Sequence, residues 1–275
     1  MASGVAVAAA FVTGLGVGTL SALAGIGGGV LMVPVLYLVY APSEVSLSAQ
    51  TLVAHATSLG VAFVAASIGT WRYARTGAIS WKHAATYGVP GFFSAFITAR
   101  LLTGAEDVHW ARALFAVFLL VTAADMWRRS KRGESPVAVE RPVHSWAWLG
   151  LIGVLGGAMA ATLGIGGGLI AVPVLLYVGR LPIKAIAPTT LAGVCLTTLS
   201  GGIGYLTAGA GPALSPYMVG YVDLQMALPL ALGATLTVPL GVRVNRRSTP
   251  ARLFTIFAVI FALLGLWLLF DWART

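Results

Sequence analysis

A glycine-rich stretch occurs twice in this sequence, and the type and spacing of its residues could bind an anion. The first copy, GIGGG at positions 25–29, recurs unchanged at positions 164–168, an offset of 139 (164 − 25). Each copy runs into an apolar segment that contains a proline, Pro34 or Pro173. Four glycines in five positions interrupt a helix, because each costs about 1 kcal/mol relative to alanine in a helix interior. Each copy therefore predicts a break that is followed by the N-terminus of a new helix.

A helix that begins inside a membrane has the chemistry of an anion site. Its first N–H groups have no partner within the helix, its dipole places about half a positive charge there, and glycine lets a ligand approach closely. The predicted substrate-binding groups are those of Gly27, Gly28, Gly29, Gly166, Gly167 and Gly168. The alternative is close helix packing, which needs small residues at every fourth position and not three consecutive glycines. A phosphate loop is excluded, since no Gly-Lys-Ser/Thr follows.

Hydroxyl and amide side chains follow each glycine stretch in the next apolar segment. Four of them are related by the same offset of 139 and are predicted to contact the substrate: Gln50, Thr51, Thr189 and Thr190. Two further pairs lie about two turns later: Thr57 with Ser58, and Thr197 with Thr198. Such groups can donate hydrogen bonds to sulfonyl or carboxylate oxygens. Taken one at a time, hydrogen bonds between helices or to the preceding turn explain them as well.

Few ionisable side chains are placed to take part in transport. His55 lies one turn after Thr51 in an apolar segment, where it is either a proton-coupling group or a structural histidine. None of the eight Asp and Glu residues lies in the middle of an apolar segment, so no carboxylate proton relay is expected. Arg100 and Arg243 end equivalent segments, where each could contact an oxyanion or anchor a helix end. With Cys195 as the one cysteine, no cysteine metal cluster is expected.

The composition is that of a membrane protein. Of the 275 residues, 58% are hydrophobic and 9% are charged, whereas soluble domains carry about a quarter charged residues. The apolar runs are continuous and about 20 residues long, as in membrane-spanning helices, and do not alternate as in a β-barrel. The net charge of +9 comes from short loops, so it is interpreted as setting membrane orientation and not as binding nucleic acid. The expected partners are the lipid bilayer and a small anion, with no metal or cofactor.

The elements that position these residues form two repeats. Residues 1–127 contain five apolar segments, residues 128–145 form a polar linker, and residues 146–275 contain five matching segments. Five segments in each half make the second repeat inverted and put 14 of the 17 Lys and Arg residues on one side, together with the linker, which is therefore cytoplasmic. We therefore predict an all-α polytopic membrane protein of two inverted repeats with half-helices at the glycine stretches. This architecture is typical of secondary transporters, which bind substrate near the membrane midplane.

The duplicated GIGGG-x3-VP-x-L pattern, with a Thr/Ser-rich third segment in each half, resembles the TauE/SafE sulfite-exporter family. The resemblance covers nearly the whole chain, and it places the family's glycine motifs at residues 25–29 and 164–168. It implies an exporter in the bacterial cytoplasmic membrane for small sulfur-containing anions, such as sulfite, thiosulfate or organosulfonates like sulfoacetate. At the offset of 139, the counterpart of His55 is Val194, so any proton chemistry would be asymmetric.

Two other functions compete with this one. The first is an anion channel, or a permease for an unrelated small organic anion, which the sequence does not separate from an alternating-access carrier. The second is an intramembrane enzyme, which is disfavoured because the chain has no HExxH or GxSxG motif and no pair of aspartates within apolar segments. The sequence leaves the coupling ion and the oligomeric state open, a homodimer included.

Overall fold

The computed structural model describes residues 4–103, 109–132, 146–212 and 214–274, and these contain ten α-helices and one short hairpin. The first half contains α1 (Gly4–Ala24), α2 (Gly29–Tyr40), α3 (Leu47–Ala74), α4 (Trp81–Leu102) and α5 (His109–Arg132). The second half contains α6 (Trp146–Leu163), α7 (Gly168–Tyr177), α8 (Ile183–Leu206), α9 (Leu224–Arg247) and α10 (Pro250–Arg274). An antiparallel hairpin of β1 (Met218–Val219) and β2 (Val222–Asp223) joins α8 to α9.

The lengths of these helices fit a membrane protein. Six helices of the described chain are long and apolar enough to span a bilayer: α1, most of α3, α6, α8, α9 and the Pro250–Trp267 part of α10. The helices α2 and α7 have only 12 and 10 residues and correspond to the predicted half-helices. The longer and more polar α4 and α5 pack into the same bundle. The predicted all-α polytopic membrane fold is confirmed.

The centre of the bundle is formed by α3 and α8. In their apolar windows 67% and 78% of the residues are buried, against 33% in α1 and α9. Small residues let the two helices approach closely, since Gly69 of α3 contacts Leu191 and Gly201 of α8 contacts Leu59. Both helices are apolar on nearly every face, as expected for helices that are surrounded by other helices.

Each glycine stretch interrupts the helix because its backbone is left-handed at three positions. The φ angles are 74°, 81° and 81° at Gly25, Gly27 and Gly28, and 66°, 83° and 77° at the equivalent glycines 164, 166 and 167. Only glycine adopts such angles without strain. The N-caps of α2 and α7 are Gly28 and Gly167, and no side chain caps either helix. We call residues 25–29 the first break and residues 164–168 the second break.

Contacts along the helices show that the second half is inverted relative to the first. In three pairs the two helices are parallel, because residue numbers rise along both helices from one contact to the next. These pairs are α1 with α9 (Gly14–Leu230, then Thr19–Gly241), α4 with α6 (Tyr87–Gly153, then Gly91–Gly157) and α4 with α8 (Gly88–Gly193, then Phe96–Gly204). A fourth such pair is α3 with α9 (Thr57–Asp223, then Gly69–Val238). By contrast, α3 and α8 are antiparallel (Leu59–Gly201, then Ser67–Cys195, then Gly69–Leu191). It follows that α1 and α6, the equivalent first helices, point in opposite directions.

Equivalent hydrogen bonds give the register between the repeats, which changes along the chain. Two sets of hydroxyl-to-carbonyl bonds fix the register. In the first set, Tyr73 donates to the carbonyl of Ala22 as Tyr205 donates to that of Ala161. In the second set, Ser94 donates to the carbonyl of Val154 as Thr237 donates to that of Leu15. Because Ala22 and Ala161 keep the offset of 139, the first set matches α3 to α8 at an offset of 132 (205 − 73). The second set matches α4 to α9 at an offset of 143 (237 − 94).

This register corrects one pairing that was inferred from the sequence. The structural counterparts of Thr189 and Thr190 are Thr57 and Ser58, at the offset of 132, so the pairing with Gln50 and Thr51 is wrong. The first repeat has seven more residues than the second (139 − 132) between its break and the matching part of its third helix. A constant offset cannot account for this insertion.

The boundary between the halves differs slightly from the predicted one. The helix α5 continues to Arg132, so the first five residues of the predicted linker are helical. The rest of that linker, residues 133–145, lies outside the described residues, and its cytoplasmic position stays a prediction.

Candidate functional site

The two breaks lie against each other in the bundle. Three contacts join them: Gly29 with Gly164 and Ile165, Gly168 with Gly25 and Ile26, and Gly27 with Gly166. The repeat relationship exchanges the first two contacts and maps the third onto itself, so the breaks are related by a pseudo-twofold axis. A Cβ atom on Gly29 or Gly168 would overlap the backbone of the opposite break, which explains why glycine is required there. The structure therefore brings the six predicted glycines into one site.

Backbone N–H groups in both breaks lack a hydrogen-bond acceptor within the described part of the chain. They include those of Gly27, Gly28, Gly29, Gly166, Gly167 and Gly168. All six residues are buried. Buried amides are nearly always paired in folded proteins, so a group of unpaired ones at one place indicates an acceptor that the chain itself does not supply. The positive ends of the α2 and α7 dipoles lie at the same place.

The carbonyl groups of the second break are bound by side chains from three different helices. Ser58 of α3 donates to the carbonyl oxygen of residue 164 at 2.6 Å, and Thr197 of α8 donates to that of residue 166 at 2.9 Å. Tyr87 of α4 donates to that of residue 167 at 3.0 Å. In the second break three carbonyls are therefore occupied, while the N–H groups of its last three glycines have no described acceptor, an arrangement that suits an anion. No described side chain donates to the carbonyls of residues 25–28 in the first break.

A histidine lies beside the second break and is hydrogen-bonded to a tyrosine of α2. The Cα atom of His55 is 2.7 Å from an ideal Cβ built on Gly164, and the His55 side chain is 3% exposed. Its Nε2 atom is 2.7 Å from the hydroxyl of Tyr37 on α2. At the offset of 132, the counterpart of His55 is Ala187, and the counterpart Val194 that a constant offset gives is wrong. The predicted asymmetry of the histidine holds with this different partner.

Two equivalent hydrogen bonds tie the central helices to the starts of α4 and α9. The N–H of Asp223, the N-cap of α9, donates to Thr57 at 3.0 Å, and the N–H of Ser80, which precedes α4, donates to Thr189 at 3.0 Å. Because the repeats are inverted, these bonds lie toward opposite ends of the bundle. The carboxylate of Asp223 also accepts a hydrogen bond from Tyr40 at 3.0 Å, so the two ends are not equally reinforced.

Comparison with known protein families adds an independent observation. The sequence profile described as "Sulfite exporter TauE/SafE" matches residues 10–268. This range includes both breaks and parts of all ten helices. The chain belongs to the TauE/SafE family. This TauE/SafE protein is a multi-pass membrane transporter.

Three relatives, each named as a "Probable membrane transporter protein", match nearly the whole length of the TauE/SafE chain. The relative from Methanocaldococcus jannaschii is 29% identical over 258 residues, which cover 94% of this chain and 93% of the relative. A relative from Bacillus subtilis, YunE, is 23% identical over 277 residues, with 94% and 96% covered. A third, from Haemophilus influenzae, is 29% identical over 254 residues, with 90% and 92% covered. No protein of solved structure matches the chain.

The other predicted site residues of the TauE/SafE chain lie at different distances from the breaks. Thr190 contacts Gly25, and its hydroxyl donates to carbonyls of its own helix. Gln50 donates to the carbonyl of Val45 at 2.7 Å and so holds the turn that precedes α3. Thr51 is half-buried, seven residues before Ser58 on α3.

The two arginines lie away from the breaks. Arg100 is exposed and donates to the carbonyl of Thr207 at 2.8 Å, at the end of α8. Arg243 is exposed in the last turns of α9. Since α4 and α9 belong to inverted repeats, these equivalent arginines lie at opposite ends of the bundle. Their positions match those of residues that anchor helix ends.

One side chain at the site was not singled out from the sequence. Tyr87 binds the second break from a helix 80 residues away, and nothing in the sequence signals this contact. The equivalence of Thr57 and Ser58 with Thr189 and Thr190 could have been inferred from the sequence, because the triplet TSL at residues 57–59 matches TTL at residues 189–191 at the offset of 132.

Proposed function

We propose that this TauE/SafE protein exports small sulfur-containing anions, such as sulfite, thiosulfate or organosulfonates like sulfoacetate, across the bacterial cytoplasmic membrane. The single observation that supports an anion is the group of buried, unpaired N–H groups at the paired breaks. The name of the family supports sulfite-type substrates. Each unpaired buried donor costs about 1–3 kcal/mol, and an oxyanion that accepts from these donors removes that cost while it loses its own water.

The position of the anion follows from the contact between the breaks. Gly27 and Gly166 lie side by side, so the anion binds on the flanks of the paired breaks and not between these two residues. Neutral donors and helix dipoles hold it, because Arg100 and Arg243 lie elsewhere. A site built of backbone dipoles attracts an anion without the tight ion pair that would slow its release.

We further propose that transport proceeds by alternating access. Inverted repeats form equivalent structures toward the two faces of the membrane, and exchanging their conformations moves access from one face to the other. Two equivalent hydrogen bonds, Thr57 with Asp223 and Thr189 with Ser80, lie toward opposite ends of the bundle. Breaking one of them while the other stays intact would open the site to one face of the membrane at a time.

Flux measurements in proteoliposomes test the anion site. Gly28→Leu and Gly167→Leu place a side chain at a position of left-handed backbone, and we expect each to lower sulfite and sulfoacetate flux more than 100-fold. Gly60→Ala is the matched control, because a Cβ atom there meets nothing within 4 Å, and its flux should equal that of the natural chain. Unaltered sulfonate flux in both leucine variants would overturn the site.

The same assay separates the competing functions. Saturable flux with counter-transport supports a carrier, whereas flux that rises in proportion to concentration identifies an anion channel. A preference for acetate over sulfite and sulfoacetate would identify a permease for an unrelated organic anion.

We also propose that His55 couples transport to protons. Of the two histidines whose side chains are described, it is the one that lies against a break, and it is hydrogen-bonded to Tyr37. In His55→Gln we expect flux down a concentration gradient to persist, while an imposed pH gradient no longer accelerates it. His83→Gln, at the start of α4, is the control and should keep the response. An unchanged response in His55→Gln would assign the residue a structural role.

A further inference from the structure

Ser21 carries a buried hydroxyl that has no hydrogen-bond partner among the described residues. The residue lies in the last turn of α1 and is 0% exposed. Its Cβ atom is 3.5 Å from an ideal Cβ built on Gly28, the N-cap of α2. The hydroxyl therefore lies beside the first break, where the N–H of Gly28 is also unpaired.

The unpaired state of this hydroxyl is unusual within this protein. Hydroxyls on helices commonly donate to the carbonyl four residues earlier, as Thr19, Thr162 and Thr198 do here. Five other residues of the described chain carry a buried polar side-chain atom without a partner, and each of them is itself partly exposed: Ser43, Thr70, Arg72, His83 and Gln225. Ser21 alone among them is wholly buried.

The second break lacks this hydroxyl. The counterpart of Ser21 at the offset of 139 is Ala160, whose Cβ atom is 3.3 Å from an ideal Cβ on Gly167. The two positions are thus equivalent in geometry and differ in chemistry. The carbonyls differ in the same sense, because side chains hold those of the second break and none of the described side chains donates to those of residues 25–28. The first break therefore has one more hydrogen-bond donor, the Ser21 hydroxyl, and fewer of its carbonyls are held by side chains.

We propose that Ser21 is a substrate-binding residue, whose hydroxyl donates a hydrogen bond to an oxygen of the transported sulfur oxyanion at the first break. The second break is the scaffold against which the first is positioned. This inference rests on the proposed function, since it assigns the anion to one of the two breaks.

The chemistry of the group fits this role. A hydroxyl can donate to one oxygen of a sulfite or sulfonate group while the amides of Gly27 and Gly28 donate to others. A hydrogen bond to a charged acceptor is stronger than one between neutral groups. An anion that presents several oxygens uses this set of donors more fully than a halide, so the site would select oxyanions.

Binding measurements on the purified full-length protein in detergent test the inference. We expect Ser21→Ala to raise the dissociation constants of sulfite and sulfoacetate about tenfold, the loss of one hydrogen bond to a charged group. Ala160→Ser is the matched control and should leave both constants unchanged. Ser21→Cys keeps the size of the side chain with a weaker donor and should give an intermediate constant.

Thermal unfolding without ligand separates binding from structure. Because the hydroxyl has no partner in the described part of the protein, Ser21→Ala should keep or raise the melting temperature. A lower melting temperature with unchanged affinity would overturn the inference, and so would equal losses of affinity in Ser21→Ala and in the control Ala160→Ser. If the natural chain binds neither anion, the proposed function fails, whereas binding that Ser21→Ala leaves unchanged overturns this inference alone.

Discussion

Side chains that donate hydrogen bonds to the carbonyls of a break stabilise its backbone. Tyr87 is fully buried and donates to the carbonyl of Gly167, and Gly156 approaches so closely that a Cβ atom there would overlap the tyrosine hydroxyl. Three side-chain donors hold the second break, which connects α6 to α7. Removing one of these donors is therefore expected to lower the stability of the folded protein first.

We predict that Tyr87→Phe lowers the free energy of unfolding by about 0.5–1.5 kcal/mol, because it removes one buried hydrogen bond to a carbonyl that still accepts from N–H groups of α7. The melting temperature in detergent measures this. Tyr217→Phe, at an exposed position in the loop before α9, is the control and should unfold like the natural chain. A melting temperature of Tyr87→Phe equal to that of the control would mean that the break holds its shape without this bond.

At the scale of helices, the breaks were predictable from the sequence and their surroundings were not. The cost of glycine in a helix is local, so GIGGG at residues 25–29 and 164–168 identified the half-helices directly. The matching of α3 to α8 depends on connection lengths, and seven extra residues in the first half shifted it by two turns. A search for the best offset would have found it, because tyrosines 73 and 205 and glycines 69 and 201 also match at 132.

The contacts of the second break depend on how helices that are distant in sequence come together. Ser58 reaches a carbonyl 106 residues away, and a hydroxyl on an apolar helix gives no sign of which distant group it binds. The unpaired state of Ser21 is likewise a property of the packed structure, because the sequence predicts that a helical serine bonds to its own preceding turn.

The equivalent bonds at the starts of α4 and α9 lead to a prediction about access. Removing an acceptor by Thr57→Val should favour opening at the end of the bundle where α9 begins, and Thr189→Val should favour the opposite end. A change of about 1 kcal/mol corresponds to a roughly fivefold change in the open population. Cys195, which lies near Ser67 on the facing helix, reports this through its rate of labelling by a membrane-impermeant maleimide.

We expect each valine variant to raise the labelling rate about fivefold from one side of the membrane only, and the two variants to differ in that side. Thr51→Val is the control, because no described partner binds the hydroxyl of Thr51. Equal increases from both sides in either variant would mean that the bond stabilises the bundle as a whole and does not control access.

At the scale of the whole molecule, the two ends of the bundle are unequal. The seven-residue insertion before the matching part of α3 and the hairpin before α9 lie at the same end, where Tyr40 and Asp223 join them. The described basic side chains concentrate at the other end: Arg72, Arg75, Lys82, Arg128, Arg129, Lys131, Arg132, Arg180, Lys184, Arg243, Arg246, Arg247 and Arg252. From the distribution of charge we predict that this basic end faces the cytoplasm.

The last prediction concerns this orientation. The α3–α4 and α8–α9 connections are equivalent in the two repeats, so inversion places them on opposite sides of the membrane. In a Cys195→Ser background, we expect Tyr217→Cys to react with an impermeant maleimide in intact cells and Thr76→Cys to react only after permeabilisation. Both positions are exposed. Reaction of both from one side would contradict the inverted topology, whereas the reverse pattern would keep the inversion and place the basic end outside, against the charge distribution.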